Sequence, residues 1–461
     1  MTVRFKCFVL GLSLAGLLVV LPASGQQAGS APATATADTP AAASAAPQDQ
    51  TPAPASAPAA TPAPAPTWSI GPIDFSGAID GYYSWNAEHP ADKTNELYLW
   101  NAPTDTFSLN MVKLAMSHTA DPVGFELDLM YGNAATLIGA ASVDDSGFDK
   151  FVEQAYVSFK PPQAKGFEVD FGKFVTSAGA EVVESWSNWN YSRSLLYSWA
   201  IPIFHFGVRT SWPMGKHFTA GAQVVNGWNN DFAGNSRATL GANATVTYAK
   251  WSLAENWYGG PDNEPNGGEP GSTKGWRELF DTVLTLTPSS KFSAYVNYDY
   301  GQNRNYGESF NYFPGEEDPV AFGNGSLARW SGIAAALHFQ PTSKWAFTPR
   351  FEVLDDPQGA LFIGQDNIKD TVETVPIRQT VKEITVTGEY KILSGLLWRA
   401  EYRYDWSNQP FFERGAGNSD FSMPTCTGDT FAKCPGGFGF QNSKDQQTIT
   451  IAFIGFFGPK R

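Results

Sequence analysis

The chain has 461 residues, a formal net charge of −14 and only 16% charged residues, against 14% aromatic residues. No cluster of Lys or Arg stands anywhere in it, which excludes a nucleic-acid partner, because displacing phosphate counterions needs a basic face. After the N-terminal segment no run of about 18 apolar residues occurs, which excludes a helical membrane protein.

In chain order, Arg4 and Lys6 precede an apolar stretch at residues 8–21. Small residues at Ala23-Ser24-Gly25 follow, and residues 1–25 read as a secretory signal peptide. Cys7 falls inside it. Residues 26–67 are almost entirely Ala, Pro, Thr and Ser, a composition that buries no core and predicts a semi-extended, disordered periplasmic arm. Residues 68–461 carry a different pattern. Ile73, Phe75, Gly77, Ile79, Gly81, Tyr83 and Trp85 alternate with Asp74, Ser76, Ala78, Asp80, Tyr82 and Ser84. Period two with one apolar and one polar face is the signature of a strand. The same alternation returns around Val123 to Tyr131, Leu240 to Tyr248, Phe292 to Tyr300 and Leu396 to Trp406, and ends in Ile449, Ile451, Phe453, Gly455 and Phe457. Several such runs reach the ten or so residues needed to cross a bilayer at a tilt of about 45°. Their apolar faces often begin and end in Tyr or Trp, as interfacial girdles require.

The connections sort by length. Seven are short, at 119–122, 161–166, 213–216, 249–250, 288–291, 341–344 and 392–395. Eight are long and rich in Gly and Asn, near 86–106, 133–149, 175–201, 227–237, 259–275, 302–327, 355–379 and 407–445. Short and long alternate throughout. This predicts an all-β fold, a transmembrane antiparallel up-and-down β-barrel of about sixteen strands (fourteen to eighteen), with short periplasmic turns and long extracellular loops. The second strand slips phase between Met111 and Val112, where a bulge is expected.

The sequence resembles the OmpL-like β-barrel porins of bacterial outer membranes. The blocks Trp189-Asn-Tyr-Ser-Arg193 and Val225-Asn-Gly-Trp-Asn229 carry the resemblance most specifically, with Glu401-Tyr-Arg-Tyr-Asp-Trp-Ser407 and Gly172-Lys-Phe-Val-Thr176 beside them. It extends over essentially the whole chain from Ile70 onward. It implies an outer-membrane channel without a defined substrate. Such barrels commonly end on an aromatic residue, whereas Gly458-Pro-Lys-Arg461 follows Phe457 here.

For a channel the lumen is the site. Inward acids on these strand phases include Asp74, Asp80, Glu126, Asp128 and Asp299. Rings of acids lower the energy of cations, which gives an expected weak cation preference. Arg399, Glu401, Arg403 and Asp405 form a charge ladder that either tunes selectivity or stiffens the wall. The third long loop, at 175–200, holds more apolar and aromatic surface than a solvated loop needs. It is expected to fold into the pore as a constriction with Glu181, Glu184 and Arg193 at the eyelet; the competing reading caps the wall or packs on a neighbouring subunit. Cys426 and Cys434 read as a disulfide pinning the last long loop, free thiols being the alternative. No cofactor motif or metal-ligand spacing is present, and the expected partners are outer-membrane lipids and small hydrophilic solutes or ions. A homotrimer is expected by analogy with other sixteen-stranded porins. Two readings compete with the porin: a barrel-embedded lipase or protease using His205 or His338 with a nearby Ser or Asp, and a plugged structural or adhesive barrel.

Overall fold

The computed structural model describes residues 69–90, 93–139, 148–232, 237–261, 276–306, 326–361, 363–368, 371–376, 378–415 and 441–458. The signal peptide, the Ala/Pro-rich arm, Cys426 and Cys434 lie outside these residues. Sixteen strands form the wall. They are β1 (Ile73–Asn86), β2 (Thr106–His118), β3 (Val123–Tyr131), β4 (Val152–Phe159), β5 (Glu168–Val175), β6 (Phe204–Pro213), β7 (Phe218–Val225) and β8 (Thr239–Tyr248). The second half is β9 (Trp251–Gly260), β10 (Arg277–Ser289), β11 (Phe292–Tyr306), β12 (Ser326–Phe339), β13 (Trp345–Asp356), β14 (Gln379–Leu393), β15 (Leu396–Ser407) and β16 (Asp445–Phe457). Each pairs antiparallel with its sequence neighbours, and β1 pairs with both β2 and β16, so the sheet closes with no free edge. The strand count and the alternation of short turns with long loops agree with the sequence pattern.

The wall is inverted relative to a soluble core. Ile79, Phe107, Phe171, Ile384 and Phe453 stand exposed on the outer face, Phe107 at 86%. Asp80, Asn110, Asp299, Glu383, Arg403 and Thr450 lie buried on the inner one. Rings cluster at the periplasmic ends of the strands, where Tyr248 stacks on Trp251 and Trp345 packs against Tyr390. Such amphipathic rings belong at the level of the lipid headgroups.

Five register shifts interrupt the pleat among the described residues, and two of them lie beside the loop between β5 and β6. In β2, Asp80 faces Met111 and Gly81 faces Leu109, leaving Asn110 as the extra residue. This is the predicted phase slip, placed slightly earlier in the chain. In β4, Asp128 faces Gln154 and Leu129 faces Val152, leaving Glu153 extra. Sequence periodicity missed four features inside the long loops and before β1. A two-residue strand, Ser69–Ile70, folds back on β1, and α1 (Asn133–Gly139) occupies the second long loop. The seventh loop holds a hairpin of Ile363–Ile368 and Thr371–Pro376, and the eighth holds the pair Phe412–Glu413 and Gln441–Ser443.

Candidate channel constriction

Residues 176–203, the loop between β5 and β6, do not stand away from the barrel. They cross its lumen and are held there by inward side chains of many strands. The segment runs extended at first, so its side chains alternate. Glu181, Val183 and Ser185 are buried on one face, while Ala180, Val182, Glu184 and Trp186 on the other stay partly exposed.

The buried face is fixed by charge. Arg350 of β13, with a side chain that is 0% exposed, places Nη1 2.7 Å from Glu181 Oε1 and Nε 2.8 Å from Glu383 Oε1 of β14. Its Nη1 also donates to the Ser192 carbonyl at 2.8 Å. Glu401 of β15 accepts the backbone N–H groups of Tyr191 at 2.6 Å and Ser192 at 2.9 Å. Arg399 donates to the carbonyl of Asn188 at 2.6 Å while pairing with Glu389 of β14 at the same distance. Arg403 donates to the carbonyl of Arg193 at 2.8 Å and pairs with Asp405 and Glu383. The four residues read as a ladder are therefore inward and close together. Their partners are the loop backbone and β14 as much as one another. Buried charges need both a counter-charge and hydrogen bonds to stay ionised away from water, and this arrangement supplies both.

On the β1 side, Asp80 accepts from Ser185 Oγ at 2.7 Å, Tyr191 Oη at 3.0 Å and the bulge residue Asn110 at 2.7 Å. On the β9–β11 side, Ser177 Oγ donates to Asn256 Oδ1 at 2.8 Å and the Ala180 N–H to Asn297 Oδ1 at 3.1 Å. Asn297 also donates to Asp281, the register partner of Asp299. Glycine lets the loop approach the wall: a Cβ on Gly332 of β12 would stand 2.7 Å from Leu196 Cδ1.

Of the three residues expected at an eyelet, Glu181 and Arg193 are buried. Arg193 donates to the Tyr191 carbonyl at 2.8 Å and to that of Val183. Glu184 alone keeps an open side, with 20% of its side chain exposed. Asp74 lies at the periplasmic end and accepts from Ser69, while Glu126 and Asp128 share the inner face of β3. Sequence reasoning missed Lys113, Glu153, Asp281 and Glu383. The signal for Lys113 was a lone cation in the apolar run Met111 to Met116, beside the phase slip. His205 stacks on Tyr258 at 4.7 Å and donates through Nδ1 to the Gly227 carbonyl. His338 stacks on Trp189, with Nδ1 2.9 Å from Thr348 Oγ1.

Known structures share this architecture. The outer membrane channel DcaP of Acinetobacter baumannii is 11% identical with a TM-score of 0.50, covering 84% of this chain and 97% of its own. An anion-selective porin from Comamonas acidovorans is 10% identical with a TM-score of 0.50, covering 84% and 99%. At such identities the likeness shows the fold alone. No curated protein matches the sequence. The family model described as "Putative beta-barrel porin-2, OmpL-like" matches residues 72–433, the whole wall from β1 through β15. A closed sixteen-strand wall, apolar outside and charged within, together with that match, makes the chain an outer-membrane β-barrel that belongs to this OmpL-like porin family.

Proposed function

We propose that the chain forms a water-filled diffusion channel for small hydrophilic solutes or ions, with residues 176–203 as its constriction and a weak cation preference. The observation that carries this reading is the two-faced loop. One face is bonded to β13–β15, and the other keeps Val182 and Glu184 partly exposed, with Glu184 reaching Lys113 of the opposite wall. Acids dominate the inner face of that wall: Glu126, Asp128 and Asp170 stand there with Lys113 and Arg209. Carboxylates in a low-dielectric passage favour cations. Reversal potentials across a planar bilayer under a KCl gradient test the preference, and an anion-selective sign overturns it. Excising residues 180–199 from the same protein should raise single-channel conductance several-fold, and an unchanged conductance removes the constriction. A homotrimer, the proposed assembly, would show conductance steps in groups of three.

A plugged barrel is the second reading, favoured by one observation. Trp100, Ile138, Leu195 and Trp228, from the first four long loops, join Leu279 and Trp330 of the wall in a single apolar cluster. Folded protein that inserts without conducting would establish the plug.

A further inference from the structure

The open face of the loop meets the β2–β4 wall through one ion cluster. Lys113 Nζ of β2 lies 2.9 Å from Asp128 Oδ2 of β3 and 2.8 Å from Glu153 Oε2 of β4, and it contacts Glu184 Oε1 of the loop directly. The three carboxylates each offer an oxygen, and these oxygens all lie within 4.8 Å of one another. Two bulges build the cluster. Asn110 resets the phase of β2 so that Lys113 points inward, and the extra residue in β4 is Glu153 itself. The ammonium hydrogen-bonds to Glu184 and makes ion pairs with Asp128 and Glu153. Asp128 Oδ1 and both carboxyl oxygens of Glu153 have no hydrogen-bond partner among the described residues. Three carboxyl groups thus surround one ammonium in a nearly buried position.

Three converging carboxylates are the oxygen set that a hard divalent cation takes. The place is already filled by a cation of the chain's own. We propose that Lys113 is a specificity-determining residue of the channel: a tethered cation that occupies this three-carboxylate site, keeps divalent cations from lodging in it, and ties the loop to the β2–β4 wall through Glu184. The proposal rests on the channel reading. Under it, passing monovalent cations meet an already occupied site, and divalent cations find no vacant set of oxygens.

The experiment uses the full chain in planar bilayers, with Ca²⁺ added to the millimolar range. Wild-type conductance should change less than about two-fold, whereas Lys113→Met should lose it about five-fold or more. Lys113→Met combined with Glu153→Gln should recover most of that loss. Equal effects of Ca²⁺ on wild type and Lys113→Met, or none on either, overturn the proposal. Heat-dependent gel mobility checks folding, and Lys113→Gln, which keeps a hydrogen-bond donor, replaces the Met variant if that one does not fold. If the wild type conducts nothing, the channel reading fails by itself. Tb³⁺ luminescence of the detergent-solubilised barrels then decides the site: a signal confined to the Lys113 variant supports it, and equal signals overturn it.

Discussion

At the scale of single residues, Arg350 is the group on which the loop most depends. Its guanidinium answers Glu181, Glu352 and Glu383 at once, and all four side chains are nearly or wholly buried. Removing one member of such a set strands the others without water or counter-charge, at a cost of about 3–5 kcal/mol. Arg350→Met is therefore expected to lower the urea midpoint of the refolded barrel and to open residues 181–193 to protease, while the wall still forms. An intact loop with an unchanged midpoint would contradict this. What the sequence disclosed at this scale follows the pleat. Glu401 and Arg403 lie on an unbroken alternation and were legible as inward. Lys113 and Glu153 lie beside or within bulges, where a one-residue slip reverses every later face. Glu181 and Arg193 were legible as unusual, but not as buried: the Arg350 that holds Glu181 lies 169 positions away, and Arg193 bonds to carbonyls of its own loop, which only the folded path brings beside it.

At the scale of elements, the strands were readable because their length and girdles are dictated by the bilayer, not by local propensity. The loop interiors were not. α1 and the hairpin Ile363–Ile368 with Thr371–Pro376 are too short to carry a period. β2 shows what a bulge contributes. Asn110 is inserted so that Phe107 and Leu109 above it face outward while Met111 and Lys113 below it face inward. The bulge residue itself donates to Asp80. Deleting Asn110 joins Leu109 to Met111 and leaves a regular pleat in which Phe107 and Leu109 still face outward and Met111 and Lys113 inward, so only the bulge and its bond to Asp80 are lost. The variant is expected to reach the heat-modifiable folded form on gels. A deletion variant that does not fold would mean that the bulge holds more than the phase of β2.

At the scale of the whole molecule, the two faces of one closed sheet obey opposite rules, and Glu255 breaks the outer one. Glu255 of β9 is exposed on the outer face, four residues above the girdle residue Trp251 and two below Trp257. At a tilt of about 45° that height is about 9 Å into the apolar band. Its neighbours there are small: Ala220 and Ala222 of β7 and Ala242 and Ala244 of β8 share the outward face. Its one described hydrogen bond comes from Thr282 Oγ1 of β10 at 2.7 Å. A carboxylate facing lipid costs less than an Arg or Lys at the same depth, but it still costs. A leucine there would lose the bond from Thr282, worth about 1 kcal/mol net, and would gain a buried aliphatic side chain worth about 2 kcal/mol. Glu255→Leu should thus raise the urea midpoint of the barrel refolded in lipid vesicles by about 1 kcal/mol, with conductance unchanged because the lumen is untouched. The same substitution in detergent should gain less, since water reaches the outer face of a micelle more easily than that of a bilayer. A fall in stability in lipid would show that the carboxylate has a partner there that the isolated barrel lacks.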